Sequence, residues 1–202
     1  MPKLKIIGLS LGILPTNCYV IKNTENNECI VVDPCDGLDS ILNAIGDSKC
    51  VAILLTHGHF DHIGLVDVLV KRFDIPFYIH PGDVEKLDDP TKNGSASYGI
   101  PIKIFQKPKL IEEGDKLTLA GIDIEVIHTP GHSKGCVCFI LPEDQGILCG
   151  DTLFEDGYGR TDFYDGDFAA MKQSLRRLYF YPKKVIAYPG HGKTTFAGKD
   201  KE

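Results

Sequence analysis

The six residues His57-Gly58-His59-Phe60-Asp61-His62 place three imidazoles and one carboxylate next to each other in this chain. Alternate residues of an extended chain project to the same side, so His57 and His59 can hold one metal ion. Asp61 and His62 follow where the chain turns toward a helix, and they can face a second ion. Imidazole nitrogens and carboxylate oxygens are ligands of zinc and similar metals. The spacing therefore predicts a metal site, with two ions rather than one.

Two catalytic ions need about six protein ligands and a group that bridges them. Three further candidates each follow a glycine that itself comes after an apolar, strand-like segment: His132, Asp151 and His191. Glycine lets the backbone turn sharply and present the next side chain beyond the end of a strand. The ligands expected for the first position are His57, His59 and His132. Those expected for the second position are Asp61, His62 and His191, with Asp151 as the bridge.

The composition of this ligand set indicates both the metal and the reaction. A set rich in imidazole and poor in carboxylate favours two divalent ions, zinc first and iron or manganese as alternatives, over magnesium or calcium. Two divalent cations outweigh the negative charges of Asp61, Asp151 and a bridging hydroxide, and the excess positive charge can stabilise an oxyanion. We therefore expect a hydrolase whose metal-bridging hydroxide is the nucleophile, with Asp61 as ligand and orienting catalytic group.

The candidate ligands lie between short strand-like runs and amphipathic segments. Aliphatic or β-branched runs bounded by turn residues predict strands at 5–9, 17–21, 29–32, 51–55, 75–79, 102–105, 116–119, 122–127, 136–141, 147–148 and 185–187. Apolar residues at helical spacing predict helices at 39–45, 64–73, 81–87 and 167–179. The stretch 88–99 has no apolar period and is expected to be a loop. Strands and helices in both halves predict an α/β protein with two sheets packed together and helices outside.

Length and composition limit the class of protein. The 202 residues fit one domain spanning 1–202, and 43% hydrophobic and 25% charged residues are ordinary for a globular protein. A net charge of −6 argues against a nucleic-acid surface, and no apolar run reaches membrane-spanning length. Seven cysteines, an odd number without C-x-x-C, favour buried thiols in a reduced, cytoplasmic protein. We expect a small-molecule substrate, and a monomer or small homo-oligomer.

The four motifs together resemble the metallo-β-lactamase superfamily. They are His-x-His-x-Asp-His, Thr-Pro-Gly-His, Gly-Asp-Thr-Leu-Phe and Pro-Gly-His-Gly, in this order from residue 57 to residue 192. The resemblance extends from Asn17-Cys18-Tyr19 to His191, and it implies a four-layer αβ/βα sandwich with a metal site at one edge of the two sheets. It also implies the ligand assignment reached above from the residues.

Within that superfamily the chain is most similar to short bacterial proteins of the glyoxalase II (hydroxyacylglutathione hydrolase) group. This resemblance implies hydrolysis of a thioester. Typical glyoxalase II carries an added C-terminal helical domain that helps to bind glutathione, and the short segment 192–202 predicts that this domain is absent. The alternative is a persulfide dioxygenase, which resembles this chain in Gly159-Arg160-Thr161-Asp162-Phe163. That group uses one iron ion, and its ligands correspond to His57, His132 and Asp151.

Several other residues have two interpretations each. Asp33, after the strand at 29–32, could orient a ligand imidazole or cap a turn. Arg160 could meet a substrate carboxylate or pair with Asp162, and pairing is the preferred interpretation. The loop 88–99, with Tyr98, could line the thiol side of the substrate pocket or lie free on the surface. His80 and His128 are expected to be structural.

Overall fold

The computed structural model describes residues 2–198, which form two six-stranded sheets. In both sheets, strands that are consecutive in the chain are also neighbours in space. The first sheet contains β1 (Leu4–Leu11), β2 (Thr16–Asn23), β3 (Glu28–Val32), β4 (Lys49–Leu54), β5 (Phe77–Ile79) and β6 (Lys109–Leu110). The second contains β7 (Lys116–Leu119), β8 (Ile122–His128), β9 (Val137–Leu141), β10 (Gly146–Gly150), β11 (Ile186–Pro189) and β12 (Thr195–Phe196).

Four α-helices lie among the described residues: α1 (Leu38–Ile45), α2 (Phe60–Ile63), α3 (Val66–Phe73) and α4 (Phe168–Tyr179). Short 3₁₀ helices occupy Pro81–Leu87, Ser95–Tyr98 and Pro142–Asp144. Helix α4 begins at a good N-cap, because the Asp167 carboxylate accepts hydrogen bonds from the backbone of Ala169 and Ala170. No helix within residues 2–198 combines the length and the apolar character that crossing a membrane requires.

The two sheets face each other across one apolar core. Strand β8 shows the pattern: Ile122, Ile124 and Val126 are buried, whereas Asp123 and Glu125 are exposed. The outer face of the first sheet packs against α1, α2 and α3, and the outer face of the second packs against α4. The resulting order of helix, sheet, sheet and helix confirms the αβ/βα sandwich.

The directions of the strands bring several loops to one edge. Strand β4 is parallel to β3, and β11 is parallel to β10. Strand β8 runs in the same direction as β10, since both are antiparallel to β9. Side chains that follow the carboxyl ends of these strands are therefore available to a shared site. The backbone hydrogen bond from Asn17 to Gly190, at 2.6 Å, ties the two sheets together beside it.

Some sequence predictions were wrong in detail. The predicted strand at 102–105 is absent, because its backbone N–H groups bond outside any sheet: Ile102 to the Ser95 hydroxyl, Ile104 to the Leu87 carbonyl and Phe105 to the Asp67 carboxylate. The two-residue strands β6 and β12 were missed. The predicted helix 64–73 begins two residues later, as α3, and the separate short helix α2, which carries Asp61 and His62, was not predicted. All seven cysteines are buried and free, as predicted.

Candidate metal centre

The four residues of the 57–62 cluster come from two kinds of backbone. His57 and His59 lie in extended chain just beyond β4, and Asp61 and His62 lie on the short helix α2. His132, Asp151 and His191 follow β8, β10 and β11. The structure thus brings all seven predicted side chains to the same edge of the sandwich.

These side chains form overlapping groups whose ligand atoms lie within 4.8 Å of one another: His57, His59 and His132; His57, His62 and Asp151; and Asp61, His62 and His191. The first and third are the two predicted positions. Asp151 lies between them, with Oδ2 at 3.4 Å from Nε2 of His132 and at 3.5 Å from Nε2 of His191. Its Oδ1 lies 3.6 Å from Nε2 of His62. Asp151 therefore has the placement of a bridging carboxylate.

Hydrogen bonds to Nδ1 assign the tautomers of three imidazoles. Nδ1 of His62 donates to Oδ2 of Asp33 at 3.0 Å, and Nδ1 of His132 donates to the Arg160 carbonyl at 2.8 Å. The Thr56 hydroxyl donates to Asp33 at 2.6 Å, so it accepts from Nδ1 of His57 at 3.1 Å. In the neutral form of each ring Nε2 then keeps its lone pair and points into the cluster. A partner for Nδ1 is the usual support of a metal-binding histidine.

Several ligand atoms of the cluster are buried without a hydrogen-bond partner, and this also fits bound metal ions. Among the described residues, buried Nε2 of His57, Nε2 of His62 and Oδ1 of Asp151 have no hydrogen-bond partner. Buried polar atoms in folded proteins are normally paired, so three orphans facing one point need an explanation. Cations bound between them supply it, since all three atoms are electron-pair donors.

The protonation states suit cations as well. Burial and the neighbouring imidazoles lower the pKa of His57 and lower that of His59 to about 3, so both rings are neutral near pH 7. Burial opposes ionisation of Asp61, but His62, His191 and the Thr16 hydroxyl hold the pKa of that carboxyl below its usual range. Burial also opposes a charge on His62, yet Asp61, Asp33 and Asp151 raise its pKa to about 10. The surroundings of His62 therefore favour a positive charge, which a metal ion would supply.

The glycines before the three separate ligands are needed for two reasons. Gly131 and Gly150 have positive φ angles of 142° and 46°, a region that other residues rarely adopt. Gly190 is needed for space, because a Cβ there would lie 2.2 Å from Oδ1 of Asp151 and 2.7 Å from Cε1 of His62. The backbone passes so close to the cluster that only a hydrogen atom fits.

A cavity of about 640 Å³ opens onto one side of the cluster. His59, Asp61, His132, Asp151 and His191 are at its base, whereas His57 and His62 are fully buried behind them. Its walls include five aromatic side chains: Phe60, Tyr98, Phe154, Phe163 and Tyr164. A small molecule can therefore reach the open face of both predicted positions.

The other residues singled out in the sequence also have defined places. Arg160 pairs with Asp162 through two hydrogen bonds of 2.6 and 2.7 Å, as preferred above. Tyr98 packs on Phe60 and brings the 88–99 loop to the cavity wall. His80 and His128 stack on each other at 4.1 Å and belong to none of the three ligand groups.

Sequence reasoning missed three supporting residues. Thr56 links Asp33 to His57, and Thr16 donates to Asp61 at 2.9 Å. Asp83 accepts a hydrogen bond from the backbone of Gly58. Thr56 could have been suspected, since it directly precedes the cluster, but nothing in the sequence links Thr16 or Asp83 to it.

The comparison with known families identifies the class of protein. Residues 11–191 match the family model described as the metallo-beta-lactamase superfamily, and the chain belongs to that superfamily. The chain is similar to a Haemophilus influenzae protein named hydroxyacylglutathione hydrolase GloC, with 34% identity over 206 residues, 96% of this chain and 95% of that protein. Other relatives in this comparison include a Bacillus subtilis protein named probable metallo-hydrolase YqgX, with 32% identity over 191 residues, 93% of this chain and 90% of that protein.

Solved structures agree with the fold throughout the chain. The structure titled BLEG-1 B3 metallo-beta-lactamase has a TM-score of 0.91 and 34% identity, and the match covers 96% of this chain and 94% of that one. The structure titled TTHA1623 in a di-iron-bound form has a TM-score of 0.85 and 35% identity, with 95% and 94% covered.

Proposed function

We propose that this protein is a thioester hydrolase of the hydroxyacylglutathione hydrolase (glyoxalase II) type that works with two divalent metal ions. The observation that carries the proposal is the arrangement of two groups of three ligands, joined by Asp151, at the base of an open cavity. Two relatives support it. One is named hydroxyacylglutathione hydrolase GloC, and the other is titled as a di-iron form.

His57, His59 and His132 would hold the first ion, and Asp61, His62 and His191 the second, with Asp151 shared between them. Bound divalent ions lower the pKa of water and polarise a carbonyl oxygen. Zinc, iron and manganese all suit this ligand set. The iron of the TTHA1623 structure makes iron a serious candidate beside zinc.

Asp61 is the group proposed to orient the nucleophile. Its Oδ2 accepts the hydroxyl proton of Thr16 at 2.9 Å and lies 3.3 Å from Nε2 of His191. The low pKa of this carboxyl keeps it ionised, so it can accept a hydrogen bond from the attacking water and orient it, although it is too weak a base to take the proton itself. Thr16 fixes its rotamer, so the free lone pairs of Asp61 stay directed at the cavity.

The cavity suits a thioester with an acyl group near the ligands and a thiol toward the mouth. A thiolate with a pKa of about 8.5 departs without a strong proton donor. Aromatic walls bury the apolar parts of such a substrate. Lys92 and Arg160 line the same cavity and can approach a carboxylate on the thiol, although each already has an acidic partner in Glu85 and Asp162.

The test is hydrolysis of S-lactoylglutathione by protein whose metal content is measured on the same sample. We expect two ions per chain and thioester cleavage that stops with a chelator. A matched Asp61→Asn variant should retain its fold and lose most of the turnover, whereas Asp162→Asn should retain turnover. No cleavage with both positions filled would refute the proposal. One iron per chain with oxygen uptake on a persulfide would instead establish the dioxygenase, and cleavage of a β-lactam alone would establish a lactamase.

A further inference from the structure

Behind the cluster lies a second group of charges that the proposed reaction does not use. Asp83 and Lys86 belong to the 3₁₀ helix Pro81–Leu87, and both are fully buried. The Lys86 ammonium donates to Oδ1 of Asp83 at 2.9 Å and also contacts Oδ2 of Asp165. Two carboxylates and one ammonium are thus enclosed in the protein, where charges are costly to bury.

The Asp83 carboxylate joins two ligand segments that are far apart in sequence. Its Oδ2 accepts from the backbone N–H of Gly58 at 2.8 Å and from the hydroxyl of Ser133 at 2.7 Å. Its Oδ1 accepts from the backbone N–H of Gly135 at 2.8 Å. Gly58 stands between His57 and His59, and Ser133 follows His132, so one carboxylate spans all three ligands of the first position.

Lys86 extends this connection to a third segment. Oδ2 of Asp165 accepts from the backbone of Lys134 at 3.0 Å as well as from Lys86. Asp165 ends the loop that begins near Arg160, whose carbonyl takes the Nδ1 proton of His132. The orientation of the His132 ring therefore depends on a loop that Lys86 and Asp165 hold.

The backbone packs tightly around the hydrogen-bonded group formed by Asp83, Lys86 and Asp165, so these segments have little room to move. A Cβ on Gly58 would lie 3.0 Å from the Asp83 carbonyl oxygen and from Cβ of Lys86. A Cβ on Gly135 would lie 2.5 Å from the backbone nitrogen of Asp83. A buried ion pair adds little stability over apolar residues of the same size, so stability alone does not account for this group. The hydrogen bonds of Asp83 instead fix the distance between the segment at Gly58 and the segment at Ser133.

We propose that Asp83 and Lys86 are positioning residues that set the spacing of His57, His59 and His132 and thereby the affinity for the first metal ion. The inference rests on the proposed function in one respect, namely that these three imidazoles bind an ion. It makes no claim about the substrate, so it can stand if thioester hydrolysis fails.

The experiment measures the affinity of each position in full-length protein stripped of metal and titrated with Zn²⁺ against a chromophoric chelator. Asp83→Asn places an amide N–H₂ against at least one existing donor, and we expect the first-position affinity to fall about 10- to 100-fold. The second position should keep its wild-type affinity. Asp88→Asn, an exposed acid at the end of the same 3₁₀ helix, is the matched control.

Lys86→Met and Ser133→Ala keep the test decisive if Asp83→Asn does not fold. Lys86→Met removes the tie to Asp165, and Ser133→Ala removes one of the hydrogen bonds to Asp83; both should weaken only the first position. Unchanged affinities at both positions in a folded variant, with a lower melting temperature, would show a purely structural role and overturn the inference. Equal losses at both positions would also overturn it. Two ions bound by wild type without thioester cleavage would refute the proposed function and leave this result intact.

Discussion

Replacing Asp33 by Asn tests how the protein orients its ligands. Asp33 is 2% exposed, and its carboxylate takes three donors. Oδ1 accepts from the backbone of Thr56 at 2.8 Å, and Oδ2 accepts from the Thr56 hydroxyl and from Nδ1 of His62. Its φ of 51° lies in the left-handed region, which Asn also tolerates, so the substitution leaves the backbone unstrained.

The size of the effect follows from the atoms of the amide. If the amide oxygen of the substituted side chain keeps the Thr56 backbone N–H, its N–H₂ group faces Nδ1 of His62. That contact is favourable only when the imidazole proton moves to Nε2, which is the atom that faces Asp61 and Asp151. Metal binding at the second position then requires the unfavourable tautomer. We expect an affinity loss of about 10- to 100-fold, or about 1.4 to 2.8 kcal/mol.

The assay is the chelator competition titration, with urea unfolding of the metal-free protein as a second readout. Metal-free Asp33→Asn should lose about 1–3 kcal/mol of unfolding free energy, because a buried acceptor becomes a donor. Asp39→Asn, at the exposed start of α1, controls for the change of charge. Wild-type affinity at both positions, together with reduced stability, would refute the tautomer reasoning and reduce Asp33 to a structural residue.

Three further predictions concern the cluster itself. Gly190→Ala should reduce metal content, since its methyl group would displace the Asp151 carboxylate; two tightly bound ions by mass spectrometry would contradict this. Thr56→Val removes the acceptor of His57 Nδ1 and should lower the metal affinity of the first position about 10-fold. The control is Thr118→Val at an exposed position, and an unchanged affinity in Thr56→Val would count against the prediction. Removing metal should lower the free energy of unfolding by about 2.7 kcal/mol for each ion whose free concentration was 100-fold above its Kd, and so lower the melting temperature. Equal melting curves with and without chelator would disprove the coupling.

The sandwich and the set of candidate ligands could be predicted from the sequence because their signals are local. Alternating apolar residues predict strands such as β8, and the three separate ligands, His132, Asp151 and His191, each follow a glycine beyond such a strand. The order of the motifs then matches one superfamily. Local pattern was enough because the parallel strands carry their following loops to the same edge without further information.

The supporting contacts could not be predicted in the same way. Asp83 lies 25 residues from Gly58 and 50 from Ser133, and its surroundings in sequence resemble a surface turn. Lys86 has the sequence context of an exposed base and is instead buried between two carboxylates. The strand predicted at 102–105 failed for a related reason, since its amides bond to Ser95, Leu87 and Asp67 rather than to a neighbouring strand. Such long-range polar contacts leave no periodic trace.

The most direct test of the central claim is a metal titration of the stripped protein followed by thioester cleavage. Zn²⁺ or Fe²⁺ is added in fractions of an equivalent, and S-lactoylglutathione hydrolysis is measured at each step. The two-position account predicts that turnover reaches its plateau at two equivalents per chain. A plateau at one equivalent, or no cleavage when two ions are bound, would contradict it.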